Sequence, residues 1–228
     1  MISVFYLLSH FCQEDNPMCS VSKNISMGFT KKKFPSGTHI CLIYRDEKER
    51  HKIISKYLEA GLLTNEKVVY LADRMKPQEV IQWLEEMDIE LCPNKAKKQL
   101  SVSVATTAYC PKNKFIPDTM LTKIKKLYTK ALAENYTNLR ATGEMTWALR
   151  GIPGSERLLE YESLLNELVV THPFTGICQY DANKFDGATI FDILQVHPYM
   201  ITRGQIVKNP AYIQPDEFLK EYANRGIH

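Results

Sequence analysis

Two runs constrain this chain most. THICLIY, residues 38–44, and KVVYLA, residues 67–72, are apolar at nearly every position. A strand with one wet face alternates. A strand apolar on both sides is covered on both sides, as in a parallel sheet between helical layers. The intervening sequence supplies a helix. Asp46 is placed to cap it, and Glu49, three residues on, to reach back in a capping box. Ile53, Ile54, Tyr57, Leu58 and Leu62 recur at helical spacing, and Gly61 and Asn65 mark the end. PQEVIQWLEEM (77–87) opens a second helix on proline.

The pattern continues. QLSVSVAT (99–106) and LRATGEMTW (139–147) alternate as strands, and FTGICQY (174–180) reads as another. Helical spacing covers 117–135 and 156–170, then GATIFDILQV (187–196), stopped near His197-Pro198. GQIVKNPAYI (204–213) reads as extended, and PDEFLKEYA (215–223) as a terminal helix. Strand and helix thus alternate about five times. This predicts an α/β three-layer fold with a mostly parallel sheet and helices on both faces.

One domain over 34–228 is expected. Residues 1–33 read as an appendage, with Met27 as a candidate natural start, and a chain beginning at Met27 is expected to keep its melting temperature. MISVFYLLSH lacks a basic flank and a small-residue cleavage site, and it is too short to span a bilayer. No other long apolar run exists, so the expected location is cytoplasmic, with no membrane partner. A formal charge of +3 gives no support for direct nucleic-acid binding. The six cysteines form no C-x-x-C pair and read as free thiols in a reducing compartment.

Ligands of open α/β sheets bind beyond the carboxyl ends of the strands. Those ends offer Tyr44, Glu144, Trp147, Tyr180 and Asp181. The run 139–147 is unusual, because Arg140, Thr142, Glu144 and Thr146 share one side of a strand that should be apolar on both. Glu144 could pair with Arg140, hold a ligand or do chemistry. The ligand role is the expectation, with Trp147 over the same cavity. Glu144→Gln is then expected to weaken ligand capture and leave the fold intact. The first strand–helix junction, YRDEKERHK, has no glycine and carries Asp46, Glu47 and Glu49 where phosphate would lie, so no functional P-loop and no ATP binding are expected there. His39, Cys178, His197, Glu144 and Asp181 are ligand types for a metal, but no local spacing joins them, so no metal site is expected.

Five blocks in order, GTHICLIYRDEKE, RATGEMTWAL, LLEYESLLNEL, GICQYDANKFDGATIFDILQVHP and NPAYI, resemble the MEDS domain of methanogen, methylotroph and DcmR-type proteins over residues 34–213. The first strand and helix also resemble the core of RecA- and KaiC-like ATPases with the phosphate loop eroded. The resemblance implies a sensory domain for simple hydrocarbon derivatives, serving signal transduction or transcriptional regulation. No cofactor is implied. Carried over by position, the motif residues are His39, Tyr44, Glu49, Glu144, Met145, Trp147, Tyr161, Glu162, Cys178, Tyr180, Asp181 and His197. The expected ligand-binding set is His39, Tyr44, Glu144, Trp147, Cys178, Tyr180, Asp181 and His197, with no catalytic residue. The expected partners are a small organic ligand and a separate regulatory protein, with homo-oligomer formation left open. Two other classes stay open: an enzyme using Glu144 or His197 as acid or base, and a ligand-free scaffold descended from an ATPase.

Overall fold

The computed structural model describes residues 23–89 and 98–224. Its centre is a seven-stranded sheet. In chain order the strands are β3 (His39–Tyr44), β4 (Lys67–Ala72), β5 (Leu100–Val104), β6 (Leu139–Glu144), β7 (Thr175–Asp181), β8 (Tyr199–Thr202) and β9 (Gln205–Lys208). In space the order is β5-β4-β6-β7-β3-β8-β9. All neighbours pair in parallel except the β8–β9 hairpin. The α/β three-layer reading therefore holds, with THICLIY at a central position between β7 and β8.

The two faces hold separate cores. On one face α1 (Glu47–Leu63) and α2 (Pro77–Glu86) cover Ile40, Leu42, Tyr44, Val68 and Tyr70. On the other, α3 (Ala105–Tyr109), α4 (Pro117–Ala133) and α5 (Leu158–Thr171) cover Cys41, Val69, Leu71, Cys178 and Tyr180. The helices α6 (Gly187–Gln195) and α7 (Pro215–Asn224) extend this second layer through Ile193 and Phe218. Asp46 caps α1 as its position suggested, accepting from the Lys48 amide at 2.9 Å.

The structure departs from the sequence pattern in three places. The run 139–147 leaves the sheet after Glu144, and Thr146–Arg150 winds into a 3-10 turn. The run 99–106 leaves the sheet after Val104, and Ala105–Tyr109 starts a helix. The segment after His197-Pro198 forms β8, and Arg203 and Gly204, both with positive φ, make the two-residue turn into β9.

Arg140 is fully buried in the central β6 yet satisfied. It pairs with the buried Glu66 and donates to the carbonyls of Tyr57 and Ser26, each at 2.9 Å. The Ser26 contact brings the N-terminal region into the core. Residues 1–22 of the expected appendage lie outside the described part. Its remainder supplies β1 (Asn24–Ser26), which pairs antiparallel with β2 (Lys33–Pro35). Met27 and Phe34 are buried among the α1-side core residues. A chain beginning at Met27 loses β1 and one acceptor of a buried guanidinium. Its melting temperature should therefore fall, by about 4–12 °C for a loss of about 2–3 kcal/mol in a domain of this size. A differential scanning trace identical to that of the full chain would remove β1 from the core.

Among the described residues no helix is long and apolar enough to cross a membrane. Cys41, Cys110 and Cys178 are free and buried. Cys12, Cys19 and Cys92 lie outside the described residues.

Candidate functional site

The carboxyl end of the sheet on the α1 face is filled by the protein's own charges. Glu144 is 1% exposed. Its Oε1 accepts from Arg50 Nη1 at 3.0 Å and from the Tyr70 hydroxyl. Its Oε2 accepts from the backbone amides of Asp73 and Arg74 at 2.9 and 2.8 Å. Two converging amides beside a guanidinium are a donor set suited to an external anion. Glu144 supplies that anion internally. Arg50 also donates to Tyr70 and to Gln179, at 2.9 and 3.1 Å, and its guanidinium lies 5.4 Å from the centre of the Tyr44 ring. Burial, offset in part by the Arg50 charge, pushes the Tyr44 hydroxyl up to about 12. Asp181 accepts from Arg74 at 3.3 Å and from the Asn183 amide at 3.0 Å. The internal Arg140–Glu144 pair considered from the sequence does not form: Arg140 turns to Glu66, and Glu144 to Arg50.

A second polar cluster lies on the opposite face, inside the α5 layer. His39 from β3, Cys178 from β7, Glu162 from α5 and His197 from the α6–β8 link are all buried, with one ligand-type atom of each within 4.8 Å of the others. His39 Nε2 is 3.0 Å from Glu162 Oε2 and 3.5 Å from Cys178 Sγ. Cys178 Sγ is 3.3 Å from the same carboxylate oxygen, as is His197 Nε2. Burial opposes the Glu162 charge, but the two imidazoles beside it, His197 and His39, bring its carboxyl down to about 2. Burial, then the Glu162 charge, raises the Cys178 thiol well above its ordinary range. Burial and His39 lower the His197 imidazole. A raised thiol is a poor nucleophile. Tyr180 stands edge-on to His197, with centroids 5.7 Å apart.

An apolar cavity of about 40 Å³ opens beside this cluster, under α4 and α5. His39 and Cys178 form its polar border, while Val69, Ala141, Ile124 and Leu165 form much of its wall.

The expected ligand-binding residues therefore divide between two places. His39, Cys178, Tyr180 and His197 converge on the α5 face. Tyr44, Glu144 and Asp181 gather at the strand ends around Arg50 and Arg74. Trp147 is fully buried on the α5 side, stacked on Tyr109 at 4.9 Å and tilted on Phe115 at 4.8 Å. Sequence reasoning left three participants out of its ligand-binding set: Arg50, Glu162 and Asn166. The last two carried a legible signal. They sit four apart on the apolar face of α5, where a polar residue needs a partner.

A mostly parallel sheet between helical layers, with the first strand–helix junction plugged by Arg50 and Glu144, defines a RecA-like α/β domain. Its likeness to solved structures agrees. The KaiC-like protein PH0186 from Pyrococcus horikoshii superposes with a TM-score of 0.57 at 14% identity, over 78% of this chain and 79% of that one. The flagellar accessory protein FlaH from Methanocaldococcus jannaschii gives 0.52 at 12% identity, over 76% of each chain. The sequence profile of the MEthanogen/methylotroph, DcmR Sensory domain matches residues 38–198, and the chain belongs to this MEDS family. The transcriptional repressor DcmR of Methylorubrum extorquens is 28% identical over 160 residues. The match takes in 70% of this chain and 57% of the repressor, so the chain spans little more than half of that relative's length. Family and relative together support a sensory or regulatory role.

Proposed function

We propose that this chain is a cytoplasmic sensory domain that takes up a small, mostly apolar organic molecule and reports it to a regulatory partner protein. The observation that carries this reading is the cavity beneath α4 and α5. Its volume of about 40 Å³ exceeds the roughly 10–15 Å³ that one water requires. It suits a molecule of a few heavy atoms, with an apolar body against Ala141 and Leu165 and a polar end at His39 and Cys178. Simple hydrocarbon derivatives have that size and polarity. The regulatory output is supported by the likeness to a transcriptional repressor. The acid–base enzyme reading, with Glu144 or His197 as the acid or base, has less support, because neither residue lines this cavity.

Native mass spectrometry of protein purified from its own host tests this reading and counts subunits at the same time. The expected spectrum carries a bound organic molecule of low mass. Ala141→Leu, which fills the cavity, should abolish that adduct while circular dichroism stays unchanged. A chain that carries no adduct, and whose melting temperature short-chain alcohols and halides leave unmoved, would overturn the sensory reading.

A further inference from the structure

The cluster of His39, Glu162, Cys178 and His197 holds more lone pairs than protons can comfortably serve. Asn166 fixes the first point. Its Nδ2 donates to the carbonyl of Val196 at 2.8 Å, which leaves its Oδ1 facing His39 Nδ1 at 3.0 Å. That oxygen only accepts, so His39 carries its proton on Nδ1. The carbonyl of Ile193 fixes the second, because it lies 2.7 Å from His197 Nδ1 and also only accepts. With both rings neutral, each turns a bare Nε2 toward Glu162 and Cys178, and a second proton on His39, shared with Glu162, is one that a metal ion displaces. His197 Nε2 and Glu162 Oε1 make no aligned hydrogen bond. Two imidazole lone pairs, a carboxylate and a thiol thus converge in a site shut off from water.

We propose that these four side chains bind one transition-metal ion of the zinc type, through Nε2 of His39 and His197, Oε2 of Glu162 and Sγ of Cys178. The spacing fits. Ligands about 2.0–2.3 Å from a tetrahedral zinc ion are about 3.3–3.7 Å from one another; four of the six pairs in the cluster stand at 3.0, 3.3, 3.3 and 3.5 Å, and all six lie within 4.8 Å, so small side-chain shifts complete the shell. The surroundings fit too. A metal-binding histidine usually gives its other N–H to a carbonyl or carboxylate, which fixes tautomer and ring direction. Asn166 and the Ile193 carbonyl do this here. Charge balances as well: a divalent ion with one carboxylate, one thiolate and two neutral imidazoles is formally neutral, as a buried site requires. Thiolate and imidazole donors favour zinc over magnesium or calcium. Binding releases the thiol proton to solvent and forms a metal–sulfur bond, with no redox step.

Four protein ligands close the coordination shell, so the ion is a structural knot joining β3, β7, α5 and the α6–β8 link. The proposal goes beyond the sensory reading and stands without it; where both hold, the metal-bound His39 and Cys178 border the cavity and the organic molecule meets them without entering the closed shell.

The test uses the full chain, denatured with a chelator and refolded with Co²⁺ or Zn²⁺ alone. One Co²⁺ per chain is expected, with tetrahedral d–d absorption and a thiolate-to-cobalt charge-transfer band. One Zn²⁺ should bleach both. At about a hundredfold excess over Kd, Zn²⁺ should raise the melting temperature by about 5–10 °C. Cys178→Ser should lose the charge-transfer band, and Cys41→Ser should keep it. If Cys178→Ser fails to fold, the wild-type spectrum decides. A refolded wild-type chain that holds no stoichiometric Co²⁺, shows no thiolate band, or loses the band with Cys41→Ser would overturn the site. A chain that binds zinc but no organic molecule would keep this proposal and end the sensory one.

Discussion

Glu144→Gln should lower stability by about 3–5 kcal/mol, the range for removing one partner of a buried ion pair. In a domain of this size that is a fall of about 6–20 °C in melting temperature. The carboxylate accepts on both oxygens, from Arg50 and Tyr70 on one side and from two backbone amides on the other. Glutamine keeps one acceptor oxygen and turns its NH₂ toward donors on the other side. It also leaves the buried Arg50 with the half-exposed Glu47 as its carboxylate partner in place of the buried Glu144. Arg50 is 1% exposed, and its remaining acceptors, Tyr70 and Gln179, are uncharged apart from the link to the half-exposed Glu47. Thermal melts and ligand retention on this one variant separate the two roles. An unchanged melt with weakened retention would return Glu144 to the ligand, as its strand-end position first suggested.

Trp147→Ala should cost a similar amount, about 3–5 kcal/mol, for a different reason. The indole is fully buried between Tyr109 and Phe115, and these rings in turn meet Tyr161 edge-on. Truncation removes the largest side chain of that core and leaves a cavity that three aromatic rings cannot close without moving. Trp147→Phe keeps a ring in the stack and should restore most of the loss. Urea titrations should show a lower midpoint for the alanine variant, with m unchanged. A loss under 1 kcal/mol would mean that the indole is a removable wall.

The two residues stand three apart in one short stretch, yet they serve opposite faces of the sheet. Alternation along 139–147 suggested a single continuous strand, and on that basis Glu144 and Trp147 were expected at one cavity. Period-2 reasoning holds up to Glu144 and fails where the backbone winds into a turn, because nothing in Met145 or Thr146 forbids either conformation. The buried strands were legible for a simple reason: a run apolar on both sides has few places to go. The β1–β2 hairpin was not legible, since each strand has only three residues and one buried side chain in its middle. The α5-face cluster was hidden for yet another reason. His39, Glu162, Cys178 and His197 are far apart in sequence, and only the crossover order of the sheet brings them together. Distance along the chain carries no spacing signal. The one local clue was the pair Glu162 and Asn166 on an otherwise apolar helical face.

The place of β3 in the sheet also sets a schedule. Its neighbours are β7 and β8, and the β3–β7 and β3–β8 registers join residues about 130 to 160 positions apart. At synthesis rates of about 5–20 residues per second, this largely apolar strand waits roughly 7–27 s after leaving the ribosome before either partner exists. During that interval THICLIY is an open strand with both edges bare, the kind of segment that pairs with other chains. Fragments ending before Thr175 should therefore aggregate, and nascent chains of that length should be clients for chaperones.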